Sequence, residues 1–546
     1  MEKKNQRNNN KWSFWIDRGG TFTDIIGYDP FNYLSSFKIL SGSDFASISS
    51  IFAIIRQETG ARPDESLSSK IIKEIRIGTT IGTNALLERK GATTGFLVTK
   101  NFEDILRIGH QERPNLFDLR IRDKPVLYHT CCGIEERTDS KGIIIKSLDI
   151  ETLKISLDKF RKLGCNSLSI AFLNSYKNPE NENLAKEIAS HFSFEHISVS
   201  HEVCNLMGFV DRCSTSVMDA YLTPIVSKYV KNLKKFTGDI PIKIMQSNGG
   251  LVQADKFRGK DSILSGPAGG VVGATESARL LERRNVVCFD MGGTSTDVAH
   301  FSGELEYRSK TEIERFTVVA PAVDVHTVAA GGGSVVSFDG TRFTVGPQSA
   351  GSDPGPACYG RGGPLTITDC NLILGFLTPK FFPKYFGKEK NKEINREMSF
   401  RAFQEQITGL KEIDITDIYS VAESFVRIAN EKMANAIKKI SVDKGYDLRN
   451  YTLQCYGGAG GQHCCEIADL LRVKEIIVSP NASVLSAVGV GLGSMKKIVE
   501  ESIEKRLSPN ILERIVKRFN ILQEKIVRDL KLGDRDKNNW LQTINK

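Results

Sequence analysis

Two short acidic glycine loops contain the residues whose types and spacing could do chemistry. Residues 17–24 read DRGGTFTD, and residues 290–297 read DMGGTSTD, 273 positions later. Each loop follows an apolar run typical of a buried strand and opens onto another apolar pair, at 25–26 and 298–299. Two such strings in the same strand context predict a duplicated unit and not the short period of a solenoid.

The chemistry that these loops could support is the binding of a nucleotide polyphosphate. A glycine pair permits a tight hairpin whose backbone N–H groups form a concave anion site, and threonine hydroxyls add donors. The aspartates repel phosphate, so they fit a Mg²⁺ between carboxylate and phosphate or the orientation of an attacking water. Two plain strand-joining hairpins are the alternative, although a turn alone does not require Thr-x-Thr-Asp after the glycines.

Two sets of candidates follow if the loops face each other across a cleft. The nucleotide-binding candidates are Asp17, Gly19, Gly20, Thr21, Thr23, Gly292, Gly293, Thr294 and Thr296. The candidate catalytic carboxylates, which would orient water or hold the metal, are Asp24, Asp290 and Asp297.

A third glycine cluster, YGGAGGQH at 456–463, follows a strand-like run and precedes a helix-like one. Small residues at such a turn let an adenine or ribose lie against the backbone. The signal gains weight from the two phosphate-type loops, and it adds Gly457, Gly458, Gly460 and Gly461 as nucleotide contacts. His463 at the start of the helix is expected near the nucleotide. A zinc site at His463-Cys464-Cys465 lacks a second, spaced pair of ligands.

A polar pair, Asp324 and His326, lies on alternate residues of a VDVHTV pattern and would share one strand face. With glycines just downstream, the pair could reach the cleft as metal-water ligand or general base. A polar pair satisfied by local backbone is an equally good interpretation.

A basic set could hold a carboxylate substrate: His110 and Arg113, with Arg107 and Arg137 nearby in sequence. An ordinary solvated face is the better account of at least half of them.

The elements that must position these residues alternate between strand and helix, which is typical of α/β sheets with covering helices. Buried strands are predicted at 14–16, 96–98, 167–172, 286–289 and 475–478. Helices are predicted at 150–163, 224–236 and 418–441. The stretch 331–363 is so rich in glycine and proline that no regular structure is expected there.

Composition narrows the class of protein further. The chain has 546 residues, 40% apolar and 25% charged, which can bury a large core. Its charge of +9 lies mostly at the ends, so a polyanion-binding body is not indicated. Eleven cysteines without a CxxC, a polar N-terminus and no long apolar run favour a reducing cytoplasm. An amphipathic pattern at 509–532 predicts a docked terminal helix or partner contact, with a membrane-surface helix as the alternative.

The motifs together resemble the hydantoinase A/oxoprolinase family, within the actin-like ATPase superfamily. The matching strings are IDRGGTFTD (16–24), GTTIGTNALLERKGA (78–92), HQERPNLFDL (110–119), SGPAGGVVGA (265–274), FDMGGTSTDVA (289–299), VDVHTVAAGGGS (323–334), VGPQSAGSDPGPACYGRGGPLTITDCN (345–371) and GGAGGQH (457–463). Within this family, Arg18 and the Gly461-Gln462 pair make the sequence more similar to the ATP-dependent 5-oxoprolinase branch than to the N-methylhydantoinase or acetone carboxylase branches.

The resemblance implies an α/β class, duplicated actin-like (ribonuclease H-like) ATPase fold, with two lobes around a nucleotide cleft. It also implies that ATP phosphorylates the carbonyl oxygen of a cyclic amide, 5-oxo-L-proline, so that water can open the ring to L-glutamate. Mg²⁺ is expected with the nucleotide, at Asp17 and Asp290, and K⁺ is a further expectation. The implied units are a disordered basic tail (1–12), an N-terminal lobe (13–215), an actin-like lobe (216–500) and a short helical tail (501–546).

Two departures limit the resemblance. Subunits of this type continue into a further small C-terminal domain, which is not recognisable here. Oxoprolinase activity in the family also needs a B-type half, fused or separate, so we expect a B-type partner subunit. The alternatives are an N-methylhydantoinase A subunit, an ATP-using acetone carboxylase beta-like subunit, an actin-like kinase and a non-catalytic ATP-binding scaffold.

Overall fold

A computed structural model describes most of the chain. The described residues are 11–20, 22–41, 44–62, 65, 67–112, 117, 119, 123–339, 341–382, 386, 392–408, 417–506 and 508–530. Most of the predicted N-terminal tail, the last sixteen residues of the predicted C-terminal tail, Thr21 and Arg113 lie outside them.

The described residues form strands and helices that alternate along much of the chain, so the predicted α/β class is confirmed. The strands are β1 (Trp12–Arg18), β2 (Phe22–Tyr28), β3 (Leu34–Leu40), β4 (Ile72–Thr79), β5 (Thr94–Thr99), β6 (Thr130–Ile134), β7 (Arg137–Thr138), β8 (Ile144–Lys146), β9 (Ser167–Ala171), β10 (His196–Val199), β11 (Ile242–Met245), β12 (Leu251–Gln253), β13 (Asn285–Met291), β14 (Thr296–Ser302), β15 (Tyr307–Ile313), β16 (Phe316–Val323), β17 (Val325–Val328), β18 (Ser334–Phe338), β19 (Phe343–Ser349), β20 (Thr452–Tyr456) and β21 (Glu475–Val478). The helices are α1 (Asp44–Thr59), α2 (Ile81–Leu87), α3 (Ile105–Ile108), α4 (Ile150–Lys162), α5 (Glu180–Ala189), α6 (Ser200–Val203), α7 (Phe209–Thr237), α8 (Ser265–Leu280), α9 (Ile367–Leu374), α10 (Arg396–Thr408), α11 (Ile418–Ile440), α12 (Cys464–Leu471), α13 (Leu485–Leu492) and α14 (Pro509–Leu530).

Two of the sheets share one strand pattern. The six-stranded sheet has the order β12-β11-β4-β1-β2-β3, in which β1, β2 and β3 are antiparallel neighbours and β4 and β11 run parallel to β1. The five-stranded sheet has the order β17-β14-β13-β20-β21, again with three antiparallel strands followed by two parallel ones. A four-stranded parallel sheet, β10-β9-β5-β6, lies in the N-terminal part of the chain.

A pair of glycine-rich helices, α8 and α13, packs between the first two sheets. One apolar cluster joins their side chains to the inner faces of both sheets, including Ile26 of β2 and Cys288 of β13. Glycines bring the helices into backbone contact: a Cβ at Gly489 would lie 1.9 Å from the carbonyl oxygen of Gly269. Each helical glycine costs about 1 kcal/mol in propensity, so close packing and not propensity holds these helices.

The outer faces of the two sheets are covered by other helices. The apolar side chains of β1 and β4 pack with α1 and α7, and those of β13 and β20 pack with α11 and α12. Each sheet therefore has one inner face, against α8 and α13, and one outer face. Because side chains alternate along a strand, this division decides which residues of each loop can reach the layer between the sheets.

Helix α7 is longer than predicted, because it begins at Phe209 and contains Pro224 in its interior. Proline lacks the N–H that would bond the carbonyl of Ala220, and proline was therefore expected to start the helix. The hydroxyl of Ser167 donates to that carbonyl at 2.6 Å and replaces the missing donor. The helix runs through the predicted lobe boundary at 215/216 without a break.

The other predicted elements are confirmed with shifts at their ends, although β21, predicted as a buried strand, has only Ile477 buried. The glycine- and proline-rich stretch after residue 331 differs, because an irregular segment was predicted there. This prediction was wrong for β18 and β19, which pair as an antiparallel hairpin there.

Candidate functional site

The first glycine loop is a tight hairpin between β1 and β2. The N–H of Gly19 donates to the carbonyl oxygen of Phe22 at 3.0 Å and closes the turn. The antiparallel register places Asp17 directly opposite Asp24. Since residues opposite each other share a face, both carboxylates point to the inner side of the six-stranded sheet.

The second glycine loop repeats this geometry between β13 and β14. The N–H of Gly292 donates to the carbonyl oxygen of Ser295, again at 3.0 Å. Asp290 lies opposite Asp297 on the inner face of the five-stranded sheet. The sequence repeat is therefore a structural repeat, down to the hydrogen bond that closes the turn.

Each carboxylate pair belongs to a row of four residues that crosses four adjacent strands at one level. The first row consists of Gly78, Asp17, Asp24 and Lys38. The second row consists of Tyr456, Asp290, Asp297 and Thr327. The two rows are equivalent in strand order, but they differ at both ends.

Helix α8 brings the two rows together. A Cβ at Gly266, in its first turn, would lie 4.0 Å from Oδ1 of Asp17. A Cβ at Gly270 would lie 3.3 Å from Oδ2 of Asp290. Positions four residues apart on a helix are about 6 Å apart, so the two aspartates touch successive turns of one helix. The predicted facing of the two loops thus has a structural basis in α8.

The environment of the four carboxylates disfavours their ionised form. Burial raises the pKa of Asp17 to about 7, the charge of Asp24 adds to this effect, and Lys38 offsets part of it. Burial raises the pKa of Asp297 to about 6, against a hydrogen bond from Thr327. The pKa of Asp290 is raised further by burial and by the other three carboxylates, and the pKa of Asp24 is raised by burial against the charge of Lys38.

Such a cluster suits a cation that arrives with a ligand. Oδ1 of Asp17 is buried and accepts no hydrogen bond. Among the described residues, no three His, Cys, Asp or Glu side chains converge as a ready-made metal site. Mg²⁺ commonly takes one or two carboxylates and completes its shell with phosphate oxygens and water, which fits Asp17 and Asp290.

The third glycine cluster lies beside the second row. β20 ends at Tyr456, opposite Asp290, and Gly457 follows with φ +82°. A Cβ at Gly457 would lie 2.3 Å from Oδ1 of Asp290, so only glycine fits this turn against the carboxylate. Gly460 is buried against Cys455, whereas Gly458 and Gly461 are exposed.

The loop tips remain accessible to a ligand. Gly20, Gly293 and Thr294 are exposed, while Gly19 and Gly292 are half-buried in their turns. The glycines at 331–333 support the second loop from behind: the N–H groups of Gly332 and Gly333 donate to the carbonyls of Gly292 and Gly293.

The side chains of two predicted nucleotide-binding residues, Thr23 and Thr296, lie on the face of the sheet opposite to the carboxylates. Each is fully buried on the outer face of its sheet, next to an aspartate in sequence and therefore on the opposite side of the strand. The hydroxyl of Thr23 bonds that of Ser41 at 2.9 Å, and the hydroxyl of Thr296 donates to the carbonyl of Ala330 at 2.5 Å. Both hydroxyls anchor the loops from the outer face, away from the layer that holds the carboxylate rows.

Asp324 and His326, predicted as catalytic, do not join the site. Asp324 forms ion pairs with Arg308 at 2.6 Å and Lys444 at 2.9 Å; these cations hold its pKa low, although burial opposes them. His326 neighbours Thr327, whose hydroxyl donates to Asp297 at 2.6 Å, so the imidazole lies on the outer face. Burial and nearby cations lower its pKa.

The predicted substrate residues lie at a different place. Nε2 of His110 lies 2.7 Å from Oδ1 of Asp211, which also pairs with Lys310, and Arg113 is outside the described residues. Asp211 lies in the first turn of α7, and Tyr229, eighteen residues further along the helix, contacts Arg18 of the first loop. At 1.5 Å per residue, Asp211 and Tyr229 are about 27 Å apart along the helix. His110 therefore lies far from the carboxylate rows.

The side chain of His463 is fixed and buried. Its Nδ1 lies 2.7 Å from Oδ1 of Asn430, and its Nε2 lies 2.9 Å from Nδ2 of Asn371. Burial lowers its pKa to about 4. Both ring nitrogens are engaged, so His463 is a neutral anchor of the third glycine turn and not a zinc ligand.

Sequence reasoning missed two contributors to the site. Lys38 pairs with Asp24 in the first row, and Asn84 of α2 lies beside the first loop, with Nδ2 3.8 Å from a Cβ at Gly20. The β2–β3 pairing that places Lys38 could be anticipated only after the turn at 29–33 was assigned. The GTTIGTN string pointed to Asn84 without giving it a role.

Two protein-family models and a curated relative match most of this chain in sequence. A family model described as Hydantoinase/oxoprolinase matches residues 212–499, and its N-terminal region model matches residues 13–192. A 5-oxoprolinase of Dictyostelium discoideum is 37% identical over 571 aligned residues, which cover 95% of this chain and 45% of that protein. The chain thus spans less than half the length of this curated relative.

Two solved structures share the fold. The crystal structure of an ATP-dependent caprolactamase from Pseudomonas jessenii has a TM-score of 0.82 and 28% identity, covering 96% of this chain and 77% of that one. A nucleotide-free acetone carboxylase structure has a TM-score of 0.74 and 24% identity, covering 95% and 76% respectively. No helix in the described part of the chain has the length and apolar character needed to cross a membrane.

Proposed function

The chain belongs to the hydantoinase/oxoprolinase family, and we propose that it uses ATP to open a cyclic amide, most specifically 5-oxo-L-proline to L-glutamate. The observation that carries the proposal is the pair of equivalent carboxylate rows held against successive turns of α8. The names of the relatives support the substrate class, because a 5-oxoprolinase and a caprolactamase both act on lactams.

The proposed architecture is a duplicated actin-like fold, with lobes near 13–215 and 216–500 that share α7. The matching strand patterns of the six- and five-stranded sheets support it. The nucleotide would lie between the two rows, with its phosphates at the exposed loop tips and its adenosine near Gly458 and Gly461.

Asp17 and Asp290 would hold Mg²⁺, which would supply positive charge next to the phosphates and to carboxylates whose pKa values are raised by burial. The chain's own part is to fix the two carboxylates by close backbone packing at Gly266, Gly270 and Gly457. We also expect K⁺ dependence from the family resemblance, and an activity assay with Na⁺ in place of K⁺ tests it.

The proposed chemistry begins at the lactam oxygen. That oxygen attacks the terminal phosphorus of ATP, the bond to the bridging oxygen breaks, and ADP leaves. Water then adds to the activated ring carbon and loses a proton, and the C–N bond breaks as its nitrogen takes up a proton. The resulting acyl phosphate is hydrolysed by a second water, which releases phosphate and L-glutamate.

Asp297 is the proposed acceptor of a proton from attacking water. It lies on the inner face, its hydrogen bond from Thr327 fixes its orientation, and burial raises its pKa to about 6. A carboxylate with a pKa near the working pH is an effective general base. Asp24, which is ion-paired with Lys38, is less suited to that role.

A partner half is the second part of the proposal. The chain covers 45% of a 5-oxoprolinase of Dictyostelium discoideum, and we propose that a B-type half, fused or separate, completes the activity. That half would supply the rest of the lactam site, since His110 lies about 27 Å along α7 from the first loop.

The test is ATP hydrolysis, followed as phosphate release, with and without a B-type partner. The panel is 5-oxoproline, caprolactam, hydantoin, and acetone with bicarbonate. The proposal expects a rise with 5-oxoproline that requires the partner, together with glutamate formation. If caprolactam or hydantoin stimulates and 5-oxoproline does not, the proposed substrate is wrong and the stimulating compound replaces it. Stimulation by acetone with bicarbonate would favour a ketone carboxylase. ATP binding without turnover would favour a scaffold.

A further inference from the structure

Lys38 is a positive charge within the first carboxylate row. It lies opposite Asp24 on β3, and its ammonium forms an ion pair with that carboxylate. Its charge also acts on Asp17 in the same sheet and on Asp290 in the other sheet, lowering the pKa of each against the effect of burial. By geometry, the ammonium lies against Asp24, in the same row as Asp17.

Arg18, the cation that the glycine motif itself contains, cannot take this place. It is next to Asp17 on β1, so its side chain leaves the opposite face of the strand. Its guanidinium lies over the ring of Tyr229 of α7, 5.3 Å from the centroid. Lys38, which lies outside the motif, faces the carboxylates instead.

The Lys38 side chain is placed so that it can serve a ligand as well as Asp24. It is 34% exposed, and its ammonium lies 5.4 Å from the centroid of the Phe22 ring, directly after the first glycine turn. An ammonium is a compact charge with three donors on a flexible stem, so it can bond Asp24 and a phosphate oxygen together.

The equivalent position of the second row holds no charge. Thr327 occupies it, and its hydroxyl donates to Asp297. A phosphate oxygen that approaches the second row meets Asp290, Asp297 and the neutral Thr327, whereas one that approaches the first row meets Lys38 beside Asp24. Opposite charges within about 4 Å attract, and carboxylate and phosphate repel over the same distance.

We propose that Lys38 binds the terminal phosphate of the nucleotide, so that this phosphate lies on the side of the six-stranded sheet. This inference rests on the proposed function only in placing a nucleotide between the two rows. It assigns to Lys38 the discrimination between a nucleoside triphosphate and a diphosphate, a role without a counterpart in the second row.

The test compares Lys38→Met with a matched control, Lys73→Met. Lys73 lies on β4 of the same sheet and is exposed, so its loss removes the same charge from the same sheet. Binding of the β,γ-imido analogue of ATP and of ADP, each with Mg²⁺, is measured by calorimetry. Lys38→Met is expected to weaken the triphosphate analogue about tenfold or more and ADP much less, since a charge-assisted hydrogen bond to the terminal phosphate is lost. Lys73→Met is expected to change neither.

A second arm separates phosphate binding from support of Asp24. If Lys38 serves only to neutralise Asp24, then adding Asp24→Asn to Lys38→Met restores the affinity of the Asp24→Asn protein. If Lys38 binds phosphate, the double variant stays about tenfold weaker than Asp24→Asn alone, and Lys38→Arg recovers part of the loss. Equal weakening of the analogue and ADP, or restoration in the double variant, overturns the proposal.

The outcome is distinct from that of the proposed function. If the protein binds the triphosphate through Lys38 but no cyclic amide stimulates turnover, the substrate assignment fails and the role of Lys38 stands. If the wild-type protein binds no nucleotide with Mg²⁺, both proposals fall.

Discussion

The two carboxylate rows have the same backbone arrangement but differ in the residues at their ends. In both, a glycine hairpin places two aspartates opposite each other on the inner face of a sheet. The first row ends in Lys38 and begins at Gly78, whereas the second ends in Thr327 and begins at Tyr456. The two hairpins therefore position their carboxylates with the same backbone arrangement, while the flanking strands place different charges around them.

From this difference we infer that the two rows have different roles. The first row has a resident cation and suits the holding of a phosphate. The second row has two carboxylates whose pKa values are raised by burial, and the neutral hydroxyl of Thr327 donates to one of them, so this row suits the handling of metal and protons. The following predictions test this difference, beginning with the largest expected effect.

Removing the charge of Asp290 should give the largest loss of ATP turnover. Asp290→Asn keeps the size of the side chain and its contact with Gly457 but loses the charge that would hold Mg²⁺. We expect the kcat for ATP hydrolysis to fall about 100-fold or more, as for loss of a central electrostatic group. Asp443→Asn, at an exposed position, should change kcat by less than about twofold. Equal activity of the Asp290 and Asp443 variants would remove Asp290 from the mechanism.

The packing of α8 against the rows should be tighter at the second row than at the first. A Cβ at Gly270 would lie 2.9 Å from the Tyr456 ring, whereas at Gly266 the nearest atom would be a Thr80 methyl at 3.3 Å. Gly270→Ala should lower the free energy of unfolding by about 1–3 kcal/mol, and Gly266→Ala by less than about 1 kcal/mol. Denaturant unfolding measures both. The reverse order would contradict the described packing.

Stability without ligand should depend on pH through the buried carboxylates, and part of this dependence belongs to Asp297 of the second row. The folded pKa of Asp297 is about 6, above its unfolded value of 3.8, so the folded protein binds more protons between these values. The contribution of Asp297 to the free energy of unfolding therefore falls as pH rises through this window and is constant above it, while Asp17, whose pKa burial raises to about 7, extends the fall to higher pH.

Asp297→Asn should remove the part of this dependence that Asp297 contributes and raise stability above pH 7, by at most about 3 kcal/mol. Asp24→Asn should give a smaller gain, because it leaves Lys38 without its partner. Melting temperatures from pH 4 to 8, without nucleotide or divalent cations, measure both variants. A gain for Asp24→Asn as large as that for Asp297→Asn would count against the asymmetry of the rows.

The smallest effect is expected at Thr327. Thr327→Val removes the hydroxyl that donates to Asp297 at 2.6 Å, at a cost of about 1 kcal/mol. Because this hydrogen bond lowers the pKa of Asp297, its loss should move the acidic limb of the pH–rate profile upward. An unchanged limb together with full activity would show that Asp297 is not the group that titrates.

The sequence was informative wherever local pattern decides structure. The repeated DxGGTxTD string predicted two equivalent hairpins, and the apolar runs predicted five of the strands. Strand alternation alone could also have excluded Thr23 and Thr296, since each neighbours an aspartate and must lie on the other face. That inference was available from the sequence and was missed.

Other features needed the three-dimensional register. Lys38 enters the first row only through the pairing of β2 with β3, and Asp324 is removed from the site by Arg308 and Lys444, which are distant in sequence. The extension of α7 before Pro224 depends on the hydroxyl of Ser167, a contact between residues more than fifty positions apart. Propensity and spacing do not encode such contacts.

The central claim is that the two rows bind one nucleotide between them, and the coupling of Asp17 and Asp290 tests it most directly. Binding of the β,γ-imido analogue of ATP with Mg²⁺ is measured for the wild-type protein, Asp17→Asn, Asp290→Asn and the double variant. Carboxylates that share one metal–nucleotide complex should give non-additive losses, with a coupling energy of at least about 0.5 kcal/mol. Strictly additive losses, or no loss from either substitution, would contradict a shared site.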